Sequence, residues 1–252
     1  MILMFLQNQF GFMPGRPTIE VIYLLRDLME KYRENEENLH LIFIDLKKAY
    51  DKVPREVLWR VLEKKRVNNS YIQVIKNIYG AVTCDQTQGA LAKHFPIAVG
   101  LHQGSALSPN LFALVLDVLT RHLQEDVPWC MIFVDDVLLV DKTREGVESK
   151  LELWRSTLES KDFHLSGSKT EYMECNFSSN KSSEGFVTLS DQVIIKYCML
   201  RYLRSIVHSD GKIDGDIISR IQIDWLKWRN ASGLLCDRKY HSNLRKNSIR
   251  WW

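Results

Sequence analysis

Apolar residues recur along much of the chain at helical or strand-like spacing, and this pattern predicts most of its secondary structure. A helix is predicted from Pro17 to about Glu34, where apolar side chains return every three or four residues. The same spacing predicts further helices from Pro54 onward, over 70–79, from Ser108 and Pro109 as cap to about 125, and over 145–161. Short β-branched and aromatic runs predict strands at 41–44, 82–87, 93–99, 129–134, 137–140 and 169–175.

The order of these elements predicts the fold class. A strand, a helix, two strands, a helix and a strand follow one another, which is typical of an α+β fold in which an antiparallel sheet carries helices on one face. The polar stretch SSNKSSEG at 178–185 has the composition of a linker. It separates this series from short strands around 186–207 and helices after 213, so we predict a domain boundary there.

The composition is that of an ordinary globular protein, with 45% apolar and 26% charged residues in 252. No run of eighteen apolar residues is present, which excludes a membrane-spanning helix, and the first six residues lack the features of a secretory signal. The five cysteines follow no C-x-x-C pattern, so neither a zinc site nor a disulfide framework is predicted. We therefore expect an intracellular protein of the nucleus or cytoplasm, with no membrane contact.

The net charge of +3 is unevenly distributed. From Arg201 onward, eleven lysines and arginines face five acidic residues, a surplus of six positive charges, while the first two hundred residues carry a surplus of three negative charges. Four tryptophans accompany the basic end. Such a segment can bind phosphates and stack on bases, or it can simply be a solvated helix face.

Two adjacent acidic residues, Asp135 and Asp136, interrupt an apolar stretch in which an unpaired charge is costly. A hairpin turn explains them without any ligand. Asp45, however, also follows an apolar strand directly, and two strand ends of one sheet can bring three carboxylates together. Hard divalent cations such as Mg²⁺ prefer carboxylate oxygens, so a metal site is the alternative interpretation.

Six segments, in this order, carry a recognisable pattern: NQFGFMPGRPTIEVIYLLRDLMEKYR (8–33), LIFIDLKKAYDKVPREVLW (41–59), GLHQGSALSPNLFALVLDVL (100–119), FVDD (133–136), SKTEYM (168–173) and RYLRSIVHSDG (201–211). Together they resemble the reverse transcriptase of LINE-type (non-LTR) retrotransposons, of the kind abundant in plant genomes. The second and fourth segments resemble the family's two aspartate motifs, the fifth its lysine motif and the last its primer-gripping hairpin. This resemblance covers nearly the whole chain.

The resemblance implies a right-hand polymerase palm and an RNA-directed DNA polymerase function, that is, nucleotidyl transfer to a primer 3′-hydroxyl. It implies a remnant of the fingers/palm junction over 1–35, a palm over 36–177, and a primer-grip hairpin with a partial helical thumb over 178–252. The implied cofactor is a pair of Mg²⁺ ions, or Mn²⁺ in their place. The implied partners are an RNA template, a DNA primer and deoxynucleoside triphosphates.

The resemblance also implies roles for single residues. Asp45 and Asp135 would hold both metal ions, Asp136 would support one of them, and the Leu46 carbonyl would complete the coordination. Tyr50 would exclude a ribose 2′-hydroxyl, for which the alternative is a half-buried packing residue. The remaining implied site residues are Gln103 and Gly104, beside the template or incoming base, and Lys169, beside the leaving group.

The sequence departs from the family pattern at two motif positions. Val134 replaces the usual alanine, and Arg204 replaces the usual hairpin glycine. Relative to the family, the chain is also expected to be truncated at both ends, without the fingers cations that hold a triphosphate. A catalytically silent remnant, at most a nucleic-acid-binding module, is therefore the alternative to an active reverse transcriptase.

Overall fold

The computed structural model describes residues 8–13, 15–80, 86–87, 90–91, 99–178, 185–190 and 192–235. These residues form two compact units. The first takes the described residues up to Cys198 together with Ser209–Gly211, and the second takes Met199–His208 and the described residues from Lys212 onward.

In chain order, the first unit contains these elements: α1 (Thr18–Glu34), β1 (Leu39–Ile44), a 3₁₀ helix (Ala49–Lys52), α2 (Arg55–Lys64), α3 (Asn69–Gly80), β2 (Gln86–Thr87), β3 (Ala90–Leu91), α4 (Ser108–Thr120), β4 (Cys130–Phe133), β5 (Asp136–Asp141), α5 (Arg144–Glu159), β6 (Glu171–Cys175), β7 (Thr188–Leu189) and β8 (Gln192–Val193). The second unit contains β9 (Met199–Tyr202), β10 (Ser205–His208) and α6 (Asp214–Leu235). None of the described helices is both long and apolar enough to cross a membrane.

The main sheet is antiparallel and has the strand order β4-β5-β1-β6. Its central strand β1 is buried along its whole length, because side chains that alternate to opposite faces, such as Leu41 and Ile42, are both covered. Residues from α2, α3, α4 and α5 join one core with the face that carries Ile42 and Ile44. The predicted α+β architecture with helices on a sheet is confirmed.

Helix α5 shows why the apolar spacing predicted the helices well. The Thr143 side chain accepts a hydrogen bond from the Gly146 amide at 3.0 Å and caps the first turn. The four predicted core positions of this helix are all buried: Val147, Leu151, Trp154 and Leu158. A helix with a cap and one continuous apolar stripe can therefore be predicted from its local sequence.

The predicted start of α4 at Ser108 and Pro109 is confirmed, but the predicted capping role of Ser108 and the predicted end near 125 are wrong. Leu107, in helical geometry, occupies the N-cap position, and Ser108 lies inside the helix with its hydroxyl 3.0 Å from the Tyr79 hydroxyl. A tertiary hydrogen bond therefore replaces the expected cap. The helix ends at Thr120 and not near 125, and the Thr120 hydroxyl donates to the Leu116 carbonyl in this last turn.

Two predictions fall largely on residues that the structure does not describe. The predicted strands at 82–87 and 93–99 lie mostly there, and the described part of this region contains the short antiparallel pair β2 and β3. Most of the linker-like stretch 178–185 also lies outside the described residues.

The second unit is a hairpin with a helix. Strands β9 and β10 are joined by a two-residue turn in which Leu203 and Arg204 both have positive φ, 47° and 67°. Such a turn normally favours glycine or asparagine, so Arg204 adopts the geometry that the family glycine would adopt without strain. Helix α6 exposes large apolar side chains along its length: Ile217, Ile218, Ile221, Ile223, Trp225, Leu226 and Trp228.

Candidate active site

Two adjoining strand ends bring the three predicted carboxylates to one edge of the sheet. Ile44, the last residue of β1, pairs with Val137 of β5, so the next residues along this register are Asp45 and Asp136. Asp135 lies in the two-residue turn between β4 and β5, where Phe133 pairs with Asp136. The structure thus places Asp136 on β5, Asp45 directly after β1 and Asp135 in the turn, at adjoining strand ends of one sheet.

The aspartates influence one another and are partly removed from water. Burial, and then the charges of Asp135 and Asp45, raise the pKa of Asp136 to about 6. Burial is also the main cause that raises the pKa of Asp135, with a further contribution from Asp45. The edge therefore concentrates negative charge that water does not fully solvate.

Lys169 is the cation that faces this group. Its Nζ lies 3.3 Å from Asp45 Oδ2, and its charge lowers the pKa values of Asp135 and Asp136 against the raising effects. The ion pair lacks hydrogen-bond geometry, and Asp45 Oδ2 is a buried oxygen without a hydrogen bond. One largely exposed lysine thus offsets part of the charge of three carboxyl groups, and Asp45 Oδ2 retains the capacity to accept a hydrogen bond.

These donors fit a hard divalent cation. Carboxylate oxygens are the preferred ligands of such ions, and the unsatisfied Asp45 Oδ2 and the surplus of negative charge are both relieved when a cation binds. Among the described residues, no three acidic, histidine or cysteine side chains already converge as a metal-holding group.

Leu46 and Tyr50 follow Asp45 on the same segment. Leu46 is buried and forms a bridge with Leu165, in which the hydrogen bonds are made by Lys47 to His164 and by Ser166 to Asp45. In such a pair the carbonyl of the bridged residue points away from its partner strand, so the Leu46 carbonyl is not used in this bridge.

Packing holds the Tyr50 ring in place, and the charge of Asp135 acts on its hydroxyl. The ring stacks on Phe112 with ring centroids 5.0 Å apart. Burial, and then the charge of Asp135, raise the pKa of its hydroxyl to about 12. The ring is therefore half-buried and neutral at physiological pH, and it stands within electrostatic reach of Asp135.

The loop over residues 100–105, called here the glycine-rich loop because it contains Gly100 and Gly104, lies against the segment that carries Tyr50. The Leu101 amide donates to the Tyr50 carbonyl at 2.7 Å, and Gln103 Nε2 donates to Asp51 Oδ1 at 2.7 Å. Gly100 has a φ of +91°, and a Cβ at this position would lie 2.9 Å from the Asp51 carbonyl oxygen. Gly104 also has a positive φ, +81°, but nothing lies within 4 Å of its would-be Cβ.

Sequence reasoning missed two residues that hold the site. The first is Asp51, which accepts the hydrogen bond from Gln103. In the sequence, only the position of Asp51 next to Tyr50 indicates this role. The second is the buried Gln9, whose side-chain oxygen accepts hydrogen bonds from the amides of Gly11 and Val134. Gln9 lies 125 positions before Val134, so no local pattern links it to the aspartate turn.

A hairpin that presents paired aspartates beside a third at the end of the neighbouring strand, in an antiparallel sheet covered by helices, agrees with a partial polymerase palm. The model of the family described as "Reverse transcriptase (RNA-dependent DNA polymerase)" matches residues 2–203. The chain belongs to the reverse transcriptase family, which in general depends on divalent metal ions. The resemblance drawn from the motifs is therefore confirmed.

Relatives place the chain with reverse transcriptase domains of non-LTR retrotransposons. The Pol polyprotein of the type-1 element R2 from Nasonia vitripennis is 28% identical over 156 residues, which is 57% of this chain and 15% of that protein. That of the type-2 element R2DM from Drosophila melanogaster is 25% identical over 154 residues, 58% and 15% of the respective chains. A transposon TX1 protein from Xenopus laevis is 23% identical over 151 residues, 55% and 12%. The chain thus spans about a seventh of these relatives' length.

Solved structures of similar fold include telomerase. Telomerase from Candida tropicalis, in complex with a fragment of telomeric RNA, superposes with a TM-score of 0.54 at 16% identity, over 73% of this chain and 32% of that one. An apo form of the same enzyme, truncated from its C-terminal domain, gives 0.52 at 16% identity, over 80% and 41%. At this identity the likeness concerns the fold alone, and it agrees with a partial polymerase palm.

Proposed function

We propose that this domain catalyses RNA-templated DNA synthesis, in which a primer 3′-hydroxyl attacks the α-phosphate of a deoxynucleoside triphosphate and pyrophosphate leaves. The observation that carries the proposal is the group of three carboxylates at the adjoining ends of β1 and β5, where burial and mutual repulsion raise the pKa values of Asp135 and Asp136. Such a group is poorly stabilised without a cation and well suited to bind one.

Asp45 and Asp135 would hold two Mg²⁺ ions, or Mn²⁺, with support from Asp136 and the Leu46 carbonyl. When bound, such ions activate an attacking oxygen and stabilise the leaving one. The unsatisfied Asp45 Oδ2 supports this assignment, because it is a buried acceptor that the described residues leave without a hydrogen bond. Lys169, now paired with Asp45, would be released to offset the charge that develops on the departing pyrophosphate.

The substrate side of the proposal rests on Tyr50 and the glycine-rich loop. The Tyr50 ring would exclude a 2′-hydroxyl, and its stacking on Phe112 gives the ring the fixed position that steric selection requires. Gln103 and Gly104 would lie beside the template or the incoming base, since the loop is anchored through Asp51. An RNA template and a DNA primer are the corresponding partners.

We also propose the division of the chain that the motifs imply. Residues 36–177 would form the palm, residues 1–35 the junction to the fingers, and residues 178–252 the primer grip and part of the thumb. The hairpin of β9 and β10 followed by α6 supports the last assignment. The basic surplus after Arg201 would then contact nucleic-acid phosphates.

The decisive experiment combines metal binding with primer extension by the full chain. Mn²⁺ binding is followed by electron paramagnetic resonance, and extension of oligo(dT) on poly(rA) is followed with Mg²⁺ present. Asp135→Asn should weaken Mn²⁺ binding and abolish any extension. Asp141→Asn is the matched control, because Asp141 ends the same strand β5 far from the site and binds Lys150 at 2.8 Å.

Three outcomes distinguish the interpretations. Unchanged Mn²⁺ binding in Asp135→Asn contradicts the ligand assignment, and extension that survives this change contradicts the catalytic one. Binding of an RNA/DNA hybrid without metal binding or extension identifies instead a catalytically silent nucleic-acid-binding module.

A further inference from the structure

The turn that carries Asp135 is strained. Val134, the residue before it, has a φ of +61°. This left-handed conformation is unfavourable for a β-branched side chain, and it persists only where surrounding contacts impose it. The direction of the Asp135 carboxylate follows from this conformation, since Val134 and Asp135 are the two residues of the turn.

A segment from the start of the chain lies along β4 and reaches this turn. The Phe10 amide donates to the Ile132 carbonyl at 2.9 Å, and the Ile132 amide donates to the Asn8 carbonyl at 2.8 Å. Gln9 bridges to Ile132 in parallel orientation. These bonds attach residues 8–10 to the edge strand β4 through a single parallel bridge, and they fix Gln9 beside the strand that ends in the aspartate turn.

The Gln9 side chain holds the turn directly. It is 1% exposed, and its Oε1 accepts hydrogen bonds from the Gly11 amide at 3.0 Å and from the Val134 amide at 3.3 Å. Its Nε2 is a buried donor without a hydrogen bond among the described residues. An unpaired buried donor lowers stability. The stabilising effect of the Gln9 side chain therefore comes from the hydrogen bonds that its oxygen accepts.

Gly11 also packs closely against Val134. A Cβ at Gly11 would lie 2.4 Å from Val134 Cγ2 and 2.7 Å from the Val134 amide nitrogen. No side chain fits there, because the backbone of the segment is pressed against the turn. We call Gln9 and Gly11 together the turn clasp.

We infer that Gln9 is a positioning residue for Asp135: through the turn clasp it imposes the left-handed conformation of Val134 and so aims the Asp135 carboxylate into the metal site. The metal-dependent part of this inference rests on the proposed function. The structural part, control of the turn by a residue 125 positions away, does not.

The test compares three variants of the full chain with the parent. Gln9→Met keeps the length of the side chain and removes the acceptor. Asn8→Leu is the matched control, because Asn8 Nδ2 donates to the Cys130 carbonyl at 2.8 Å, at the far end of β4 from the turn. In the double variant Gln9→Met/Val134→Gly, glycine adopts a positive φ without strain and no longer needs the clasp.

Two measurements are made below the unfolding temperature of every variant. Amide hydrogen exchange at Val134 reports the turn itself, and Mn²⁺ affinity reports the aim of Asp135. Gln9→Met removes the hydrogen bonds to the Gly11 and Val134 amides. Loss of the bond to Val134 should speed exchange at this amide and weaken Mn²⁺ binding about three- to tenfold. Asn8→Leu should change neither quantity at the turn, and the double variant should regain most of the Mn²⁺ affinity.

Each result bears on a different part of the inference. Unchanged Val134 exchange in Gln9→Met overturns the clasp. Faster exchange with unchanged Mn²⁺ affinity overturns the positioning role, provided that Asp135→Asn does weaken Mn²⁺ binding. If Asp135→Asn leaves Mn²⁺ binding unchanged, the proposed function fails while the exchange data still decide the clasp. An equal loss of affinity in Asn8→Leu, or no recovery in the double variant, indicates a merely structural role and overturns the proposal.

Discussion

Neutralising Asp136 should stabilise the metal-free protein. Asp136 begins β5 beside Asp135 and Asp45, and burial together with these charges raises its pKa from 3.8 to about 6. Because folding raises the pKa of this carboxyl group, the folded protein is more stable when the group is neutral than when it is charged. The substitution Asp136→Asn keeps the size of the side chain and removes the charge, so it isolates this electrostatic cost.

The magnitude follows from the rise in pKa. A rise of this size corresponds to at most about 3 kcal/mol of destabilisation by the charged form. Partial exposure of Asp136 to solvent reduces this to about 1–2 kcal/mol. This destabilisation is absent well below pH 3.8, where the Asp136 carboxyl is protonated in both the folded and the unfolded protein. It grows as the pH rises towards 6, because unfolding then releases a proton, and it is constant above 6.

The assay is urea unfolding of the parent and Asp136→Asn between pH 4 and pH 8 in the presence of a chelator. The difference in unfolding free energy should be near zero at pH 4 and should favour Asp136→Asn by about 1–2 kcal/mol at pH 7.5. Asp126→Asn, at an exposed position, should differ from the parent by less than about 0.5 kcal/mol. A lower stability of Asp136→Asn at pH 7.5, or a difference independent of pH, refutes the reasoning.

Three further changes test other parts of the structure. Tyr50→Val should raise the incorporation of ribonucleotides relative to deoxyribonucleotides at least about tenfold in the extension assay, because the ring that meets a 2′-hydroxyl is gone. Gly100→Ala should lower the unfolding free energy by about 2–3 kcal/mol, since a Cβ would press on the Asp51 carbonyl at a φ of +91°. Asp216→Ala should destabilise the β9–β10 hairpin by about 2–3 kcal/mol, seen as faster hydrogen exchange at Ile206, whose amide donates to this buried carboxylate at 2.8 Å.

Each of these changes has a matched control. Tyr50→Phe keeps the ring and should keep the sugar selectivity. Gly104→Ala shares the positive φ but meets no neighbour within 4 Å, so it should cost less than Gly100→Ala. Asp224→Ala removes an exposed ion pair to Lys227 and should leave hydrogen exchange of the hairpin unchanged. Equal effects in any variant and its control contradict the contact assigned to that residue.

Local pattern was sufficient for the elements whose stability is local. The apolar stripe that ends in Leu158 specifies α5, because its side chains meet one core face every three to four residues. The two apolar runs on either side of Asp135 and Asp136 specify a hairpin, because a pair of acidic residues interrupts an otherwise apolar stretch. The capping role of Ser108 in α4 was predicted wrongly for the opposite reason. Ser108 has the residue type of a cap, but the Tyr79 hydroxyl offers its side chain a tertiary partner.

The sequence alone also predicted the carboxylates and the lysine of the proposed site, because the ordered motifs contain them. Asp45, Asp135 and Lys169 are recognisable without coordinates. Their mutual arrangement required the fold: the register of Ile44 opposite Val137 sets the two strand ends side by side, and a slip of one residue would send the carboxylates to opposite faces.

Only the tertiary structure decided the contacts between distant segments. The Gln9 oxygen on the Val134 amide, the Gln103 amide on Asp51 and the Lys169 ammonium on Asp45 each join parts of the chain that share no periodicity. The positive φ of Val134 is of the same kind, since a valine left to its own preferences avoids it. Such contacts depend on backbone positions that the packed sheet and helices create, and for that reason they have no counterpart in the local pattern of residues.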